Sequence, residues 1–257
     1  MLSGLLEAEL YAYILVFARM GGALMLLPGF GERVVPERSR LLLALAVTLA
    51  ITPMIANRLP SIPAGIGPLV ITLVSELLVG IFLGAIGRLV FNTLDMAGSF
   101  ILGQIGLSSA TALNPLMADQ GATISVMLML AASVIIMQTD LHILLLRGLI
   151  DSYALFDPAR PWPLGDYTAA YVRTFSQVFE IALRMTAPFI IATMVLYVGL
   201  ALIARLMPQL QVFFIALPLQ IGLGFIVLIA VIPAIMIAFT DELGQLWRAL
   251  VQPGVGP

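Results

Sequence analysis

The chain has 257 residues, of which 61% are hydrophobic and only 10% are charged, against about 25% charged residues in an ordinary soluble domain. A soluble fold of this length cannot keep so much apolar surface from water, and a net charge of −2 argues against both a disordered chain and a basic surface for nucleic acid. Without cysteine and with a single histidine, thiolate metal sites, cysteine nucleophiles and histidine-rich metal sites are excluded, which leaves an integral membrane protein or a subunit buried in a hydrophobic assembly.

Long apolar segments dominate the sequence, and a helix of about 20 such residues spans the hydrocarbon core of a bilayer. The fourth segment continues through Asp140 and His142, and Pro218 and Pro233 are expected to kink or break the last one. A further stretch at 95–113 is apolar but rich in glycine and serine. We therefore predict an all-α, membrane-associated fold of helical hairpins with about six long apolar helices. The six segments lie at 10–30, 41–56, 66–91, 122–150, 181–203 and 212–239.

Polar residues stand inside these segments, where each one predicts a partner or a water-filled cavity because charges are costly in lipid. Glu76 lies within the third segment. Four more polar residues follow at steps of four, three and four, which places them on one face of a helix. We predict that this polar stripe is buried between chains. The stripe consists of Arg88, Asn92, Asp95 and Ser99.

Two further pairs of polar residues are close in sequence. Glu180 and Arg184 are one helical turn apart with the acid first, which is the favourable order. We interpret them as a buried structural ion pair, and the alternative is a contact to a partner subunit or a pore lining. We interpret Asp140 and His142 as a buried polar pair rather than a proton relay, because the sequence lacks the grouped carboxylates that a relay needs.

Gly80 and Gly84 form a pattern of two small residues four apart in the third segment. Such a pattern allows the backbone of another helix to approach closely. Packing within the chain and contact with another subunit are both compatible with this pattern, and Gly80 and Gly84 are candidate packing residues in either case.

Motifs of enzymes are missing from the sequence. The patterns GxSxG, HExxH and GxGxxG and the phosphate-binding P-loop are absent, and the carboxylates are too scattered to form a hydrolytic pair. We predict that the protein is not an enzyme, that it needs no cofactor or metal, and that it binds no nucleic acid.

Two longer motifs are more specific than these single residues. The stretch QIGLSSATALNP at 104–115 and the stretch RLMPQLQVFFIALPLQI at 205–221 resemble signatures of the flagellar biosynthetic protein FliR family. Their order and spacing fit that family, and matches extend from about residue 10 to residue 240. Supporting matches are PGFGERVVPERSR at 28–40, together with Arg19, Glu76, Gly80, Gly84, Asp140, His142, Ser152 and Tyr153.

The resemblance implies a subunit of the export gate of a type III secretion system, in the bacterial inner membrane at the flagellar basal body. Its expected partners are FliP-like and FliQ-like subunits, FlhB and FlhA, and its expected substrates are unfolded proteins. Residues 1–175 would be a FliP-like half and residues 176–257 a FliQ-like half of a single subunit. Two alternatives remain, which are the homologous subunit of a virulence injectisome and a small-molecule secondary transporter, although the internal repeat of such a transporter is not found.

The resemblance also implies that the region around GLSSATALNP plugs the pore before substrates pass. Ser109 and Ala112 stand where some relatives carry phenylalanine, so an aromatic plug is not expected here. Apolar bulk would come from Leu107, Leu113 or Met117 instead. Two glycines would allow a flexible and tight backbone beside them, and these are Gly103 and Gly106.

Overall fold

A computed structural model describes residues 2–31, 35–107, 123–158, 164–207 and 212–251. Within these ranges the regular secondary structure is helical, which confirms the predicted all-α fold. In chain order the helices are α1 (Leu2–Leu24), α2 (Glu37–Ile55) with a short 3-10 turn at Ala56–Arg58, α3 (Ile66–Phe91), α4 (Thr93–Ile105), α5 (Thr123–Gln138), α6 (Leu141–Leu155), α7 (Leu164–Leu206) and α8 (Val212–Val251).

Four helical stretches in the described part of the chain are long and apolar enough to cross a membrane, and α5 with α6 would make a fifth if the pair forms one broken span. Each of the six predicted apolar segments lies largely on a helix, or on two helices for the fourth segment, and the first segment continues past the end of α1 at Leu24. The first segment lies on α1, which carries Glu7, Glu9 and Arg19 and is not among the four. The four stretches are Glu37–Arg58, Ile66–Ile105, Tyr167–Leu206 and Ile215–Val251.

The fourth predicted segment is not one straight helix, because α5 and α6 meet at an angle of 74°. Asp140 lies at the bend with φ of 57° and ψ of 14°, a left-handed conformation that aspartate tolerates better than most residues. Its carbonyl oxygen accepts hydrogen bonds from the backbone N–H groups of Ile143 at 2.9 Å and Leu144 at 3.3 Å. These bonds start α6 in its new direction.

The prolines of the last two helices do not break them. Pro188 lies inside α7, and Pro218 and Pro233 lie inside α8, and both helices continue through these positions. The expected break of the last segment is therefore wrong, because α8 continues through both of its prolines, and the alternative of a kink at these positions stays a prediction. At a rise of about 1.5 Å per residue, helices of 43 and 40 residues are roughly twice as long as a hydrocarbon core is thick.

The chain forms two compact units that are both discontinuous in sequence. The first unit contains Met1–Val90, Ile136–Phe175 and Leu243–Pro257, and the second contains Phe91–Ile135 and Ser176–Glu242. These units are groups of contacts and not the two halves suggested by the resemblance. The division into a FliP-like half at 1–175 and a FliQ-like half at 176–257 therefore stays a prediction.

Each unit has its own apolar core. In the first unit, α1 packs against α2 and buries Leu15 and Met20 completely. In the second unit, Phe91 and Phe239 meet edge to face with ring centroids 5.9 Å apart, an arrangement that aromatic rings favour. These cores hold the helices that carry the polar residues described next.

Candidate functional site

A completely buried arginine lies at the centre of the first unit. Arg19, on α1, has an exposed fraction of 0%, and Glu76, on α3, has an exposed fraction of 1%. The Nε and Nη2 groups of Arg19 donate to the two carboxylate oxygens of Glu76 at 2.6 and 2.7 Å. This two-pronged geometry is the strongest form of a side-chain ion pair, and it needs the planar guanidinium that lysine lacks.

The end of α6 supplies the remaining partners of Arg19. Its Nη1 donates to the Ser152 hydroxyl oxygen at 3.2 Å, and its Nη2 also donates to the Phe156 carbonyl oxygen at 2.8 Å. The guanidinium carbon lies 3.8 Å from the centre of the Tyr153 ring, within the range of a cation–π contact. Arg19 therefore joins α1, α3 and α6, and we interpret this cluster as a structural anchor of the first unit.

The two glycines of α3 explain how Arg19 reaches Glu76. Glu76, Gly80 and Gly84 follow at intervals of one helical turn and share one face of α3. A Cβ atom added to Gly80 would run into the backbone carbonyl of Arg19, and one added to Gly84 would lie 2.7 Å from the carbonyl oxygen of Ala23. Both glycines thus let α1 approach α3 closely within the same chain, which decides between the two interpretations left open by the sequence.

The polar stripe is only partly buried within the chain. Asp95 and Ser99 are exposed in the chain, and Arg88 and Asn92 are half-buried. Within the chain, α4 packs through small and apolar residues such as Ala97 and Gly98, so the burial of Asp95 and Ser99 between chains stays a prediction. A Cβ atom on Gly98 would lie 2.6 Å from the Cα atom of Ser125 on α5, and the Ser125 hydroxyl donates to the backbone carbonyl oxygen of Asp95 at 3.1 Å.

The structure places Asp140 and His142 in different surroundings. Asp140 is exposed at the bend between α5 and α6, so its predicted burial is wrong, since the left-handed turn carries it to the surface. His142 is half-buried, and its Nδ1 lies 3.3 Å from the carbonyl oxygen of Ile136. A carbonyl only accepts, so the ring N–H donates, and His142 ties the start of α6 to the end of α5.

The ion pair between Glu180 and Arg184 forms as predicted but in a different environment. Arg184 Nη2 lies 2.6 Å from Glu180 Oε1, while the two side chains are 62% exposed at Glu180 and 69% exposed at Arg184. The predicted burial of this pair is therefore wrong for the chain alone. The buried face of α7 lies at Ile181, Ala182 and Met185, which turns Glu180 and Arg184 outward.

Because the pair is exposed, its loss is expected to have a small effect on the chain. We expect Glu180→Ala, Arg184→Ala and the double variant each to change the free energy of unfolding by less than about 1 kcal/mol. The measurement is thermal unfolding of the detergent-solubilised chain. A large loss in either single variant that the double variant restores would contradict the exposed placement.

Only the first part of the predicted plug lies within the described residues. Gly103 is exposed, and a Cβ atom there would meet nothing within 4 Å. Gly106 ends α4 in the left-handed conformation with φ of 81°, as glycine commonly does at the end of a helix, and Leu107 is half-buried. Four predicted plug residues lie outside the described residues, and these are Ser109, Ala112, Leu113 and Met117.

The sequence analysis missed one polar residue that the structure makes prominent. Gln220, on α8, is 7% exposed, and its amide Nε2 donates to the carbonyl oxygen of Gln104 at 2.7 Å. The available signal was a glutamine inside a long apolar segment, where a buried amide needs partners. Within the described residues, no group of three or more histidine, aspartate or glutamate side chains is arranged to hold a metal ion.

Comparison with known proteins gives consistent matches over nearly the whole length. Residues 10–246 match the family described as bacterial export proteins, family 1. The chain is 34% identical over 238 residues to the flagellar biosynthetic protein FliR of Caulobacter vibrioides, which covers 93% of this chain and 95% of the relative. It is 31% identical to FliR of Bacillus subtilis, covering 88% of each chain. It is 27% identical to Yop proteins translocation protein T of Yersinia pestis, covering 89% of this chain and 88% of the relative.

Proposed function

The chain belongs to family 1 of the bacterial export proteins, and from this membership we propose that it is a non-enzymatic subunit of the flagellar type III export gate. Membership makes it a component of a type III export apparatus, and its apolar helices make it an inner-membrane component. We propose that it helps to form and close the channel for unfolded flagellar proteins. The observation that carries the proposal is the family match over residues 10–246, because it extends far beyond any single motif.

A flagellar role is favoured over a virulence role by the identities. The FliR relatives of Caulobacter vibrioides and Bacillus subtilis are 34% and 31% identical to the chain. The Yop translocation protein is 27% identical, within the 26–29% of several other FliR relatives. The homologous injectisome subunit is therefore the second candidate, with the same chemistry. A small-molecule transporter is a weaker candidate. Many such proteins are built from internal repeats with paired broken helices, and no internal repeat is found in this sequence.

Exposed apolar surface supports the proposal that other subunits cover this chain. A run of large side chains on α7 is 62–68% exposed, and patches of this kind mark surfaces that meet lipid or other proteins. We propose that FliP-like and FliQ-like subunits cover part of this surface and that FlhB and FlhA are neighbours in the apparatus at the flagellar basal body. The run consists of Ile191, Met194, Val195, Val198 and Leu202.

Dependence on partners is a testable consequence. We expect the chain expressed alone to aggregate or to be degraded, and coexpression with FliP-like and FliQ-like proteins to raise its yield, because partners remove apolar surface from solvent. The measurement is the amount of monodisperse protein recovered in detergent. A well-behaved monomer that gains nothing from coexpression would count against the assignment.

We propose that the segment from Gly103 to Met117 closes the channel. Its composition supports this role, because small residues dominate it and glycine is unfavourable in a helix interior by about 1 kcal/mol. The helix α4 ends at Ile105, and Gly106 after it is left-handed. The backbone therefore leaves the helical conformation near the start of this segment. In this proposal Leu107, Leu113 and Met117 supply apolar bulk beside the small Ser109 and Ala112.

A short deletion tests the closing role. Removal of residues 109–112 is expected to leave the complex assembled but permeable to ions or a small dye, because the remaining segment is too short to fill the channel. The measurement is dye entry or conductance in cells that contain the mutant complex. An assembled, sealed and export-competent deletion variant would refute the closing role, and loss of uptake of one small solute would favour the transporter instead.

A further inference from the structure

The last turn of α4 is docked against α7 and α8 inside the second unit. Gln220 is the polar centre of this contact, since its Nε2 donates to the Gln104 carbonyl oxygen at 2.7 Å. The last four carbonyl groups of a helix have no partner within that helix. The Gln220 amide therefore pairs with one of these backbone acceptors, which is partly shielded from solvent and costly to leave unpaired.

Neighbouring hydroxyl groups fix the orientation of this amide. The Tyr197 hydroxyl donates to Gln220 Oε1 at 3.3 Å, so the oxygen of the amide faces Tyr197 and the nitrogen faces Gln104. The Thr193 hydroxyl lies 3.3 Å from the same Gln104 carbonyl but only 2.7 Å from the carbonyl of Phe189. Thr193 thus bonds mainly to its own helix, and Gln220 is the principal donor to Gln104.

Two glycines bring the backbones together around this bond. A Cβ atom on Gly224 would lie 2.5 Å from Cγ1 of Ile105, so the Ile105 side chain occupies the space that Gly224 leaves open. A Cβ atom on Gly106 would lie 2.9 Å from the side-chain carbonyl carbon of Gln220. The cavity that remains has a volume of about 10 Å³, which is room for at most one water molecule.

We propose that Gln220 is a positioning residue that fixes the end of α4, so that the segment joining α4 to α5 begins at a stationary point while substrates pass. This inference rests on the proposed function, because only a channel-closing segment makes the position of its first residue matter for leakage. Gln104, Ile105 and Gly106 form the fixed end, and Gln220 with Gly224 forms the surface that holds it.

The first test removes the donor and keeps the shape of the side chain. Gln220→Met has a similar length but cannot donate, and the matched control is Gln245→Met at an exposed position of the same helix. The assay uses the complex with FliP-like and FliQ-like partners, reconstituted into liposomes that contain a small dye. We expect Gln220→Met to raise dye release per assembled complex about tenfold. A tenfold change corresponds to a free-energy difference of ~1.4 kcal/mol, which is comparable to the net contribution of one hydrogen bond. Dye release equal to that of the wild type and the control would overturn the proposal.

The second test holds even if Gln220→Met assembles poorly. The chain has no cysteine, and a Cβ atom on Gly224 would lie 3.0 Å from the Cβ atom of Ile105. A disulfide needs a Cβ–Cβ distance of about 3.5–4.5 Å, so the two backbones must separate by roughly half an ångström for the bond to form. We expect the oxidised variant carrying Ile105→Cys and Gly224→Cys to export at the rate of its reduced form, since the fixed end does not move. Export that stops on oxidation and returns on reduction would overturn the proposal, and the single-cysteine variants are the controls.

The deletion of residues 109–112 separates this inference from the proposed function. If the deletion leaks and Gln220→Met stays sealed, only the role of Gln220 is refuted. If the deletion is sealed and still exports, the closing role itself fails.

Discussion

Glu76→Leu is expected to leave only a small fraction of the wild-type amount of protein in the membrane, because it removes the carboxylate that compensates a buried guanidinium. Breaking a buried ion pair on one side costs about 3–5 kcal/mol, and folded domains are stable by only about 5–15 kcal/mol. Arg19 has an exposed fraction of 0%, so solvent cannot replace the lost partner. The positive charge would remain in the core between α1, α3 and α6.

Replacing both members of the pair is expected to be much less harmful. Hydrophobic residues of similar volume often substitute for a buried ion pair at little cost, so Arg19→Met with Glu76→Leu should recover most of the lost protein. Glu180→Leu is the matched control, because Glu180 pairs with an arginine in the exposed Glu180–Arg184 pair. The measurements are membrane levels and thermal unfolding in the coexpressed complex. Equal losses in the single and double variants would contradict an anchoring ion pair.

Gly80→Ala is expected to be the most damaging substitution of a glycine in the first unit. The added methyl group would overlap the backbone carbonyl of Arg19, and a backbone cannot move aside as a flexible side chain can. Overpacking of this kind costs about 1–3 kcal/mol and occasionally more. Because Gly80 lies one turn from Glu76 on the same face of α3, separating α1 from α3 would also stretch the ion pair.

Gly67→Ala is the control for this substitution. Gly67 lies near the start of the same helix, and a Cβ atom there would meet nothing within 4 Å. We expect Gly67→Ala to be neutral or slightly stabilising, because alanine favours helix over glycine by about 1 kcal/mol in helix interiors. The two variants are compared by the unfolding temperature of the purified complex. Equal unfolding temperatures would show that α1 does not approach α3 as closely as described.

Local patterns in the sequence predicted the helices well. The six apolar runs in the sequence each fall largely on helices of the structure. The length and composition of such a run can be read directly from the sequence. The spacing of Glu180 and Arg184 predicted their contact, since residues four apart are neighbours on any helix. Such rules predict which residues lie on one helix face, but not which way that face points. The exposed position of the pair is an example.

Contacts between distant parts of the chain could not be predicted from spacing. Arg19 and Glu76 are 57 residues apart, and Ser152 is 133 residues from Arg19. Each appeared in the sequence only as an isolated polar residue or as part of a resemblance. Their convergence depends on the close approach that Gly80 permits, which is a property of two packed helices and not of either one.

Backbone conformation at single positions was a second source of error. The apolar run around Asp140 did not predict the bend there. Aspartate tolerates the left-handed conformation better than most residues, but it does not require it. At Pro218 and Pro233 the sequence suggested a possible break that does not occur, since α8 continues through both. Gln220 shows that a buried amide in an apolar segment indicates a partner without identifying it.

The most direct test of the central claim is protein export in a bacterium of the source species that lacks its own copy of this gene. The amount of flagellar protein released into the medium is measured with a plasmid carrying the wild-type chain, Glu76→Leu, or the double variant with Arg19→Met and Glu76→Leu. We predict that the wild-type chain restores export, that Glu76→Leu fails to do so, and that the double variant restores most of it. Export and motility that are unaffected by loss of the gene, together with lost uptake of a small solute, would contradict a role in the export gate.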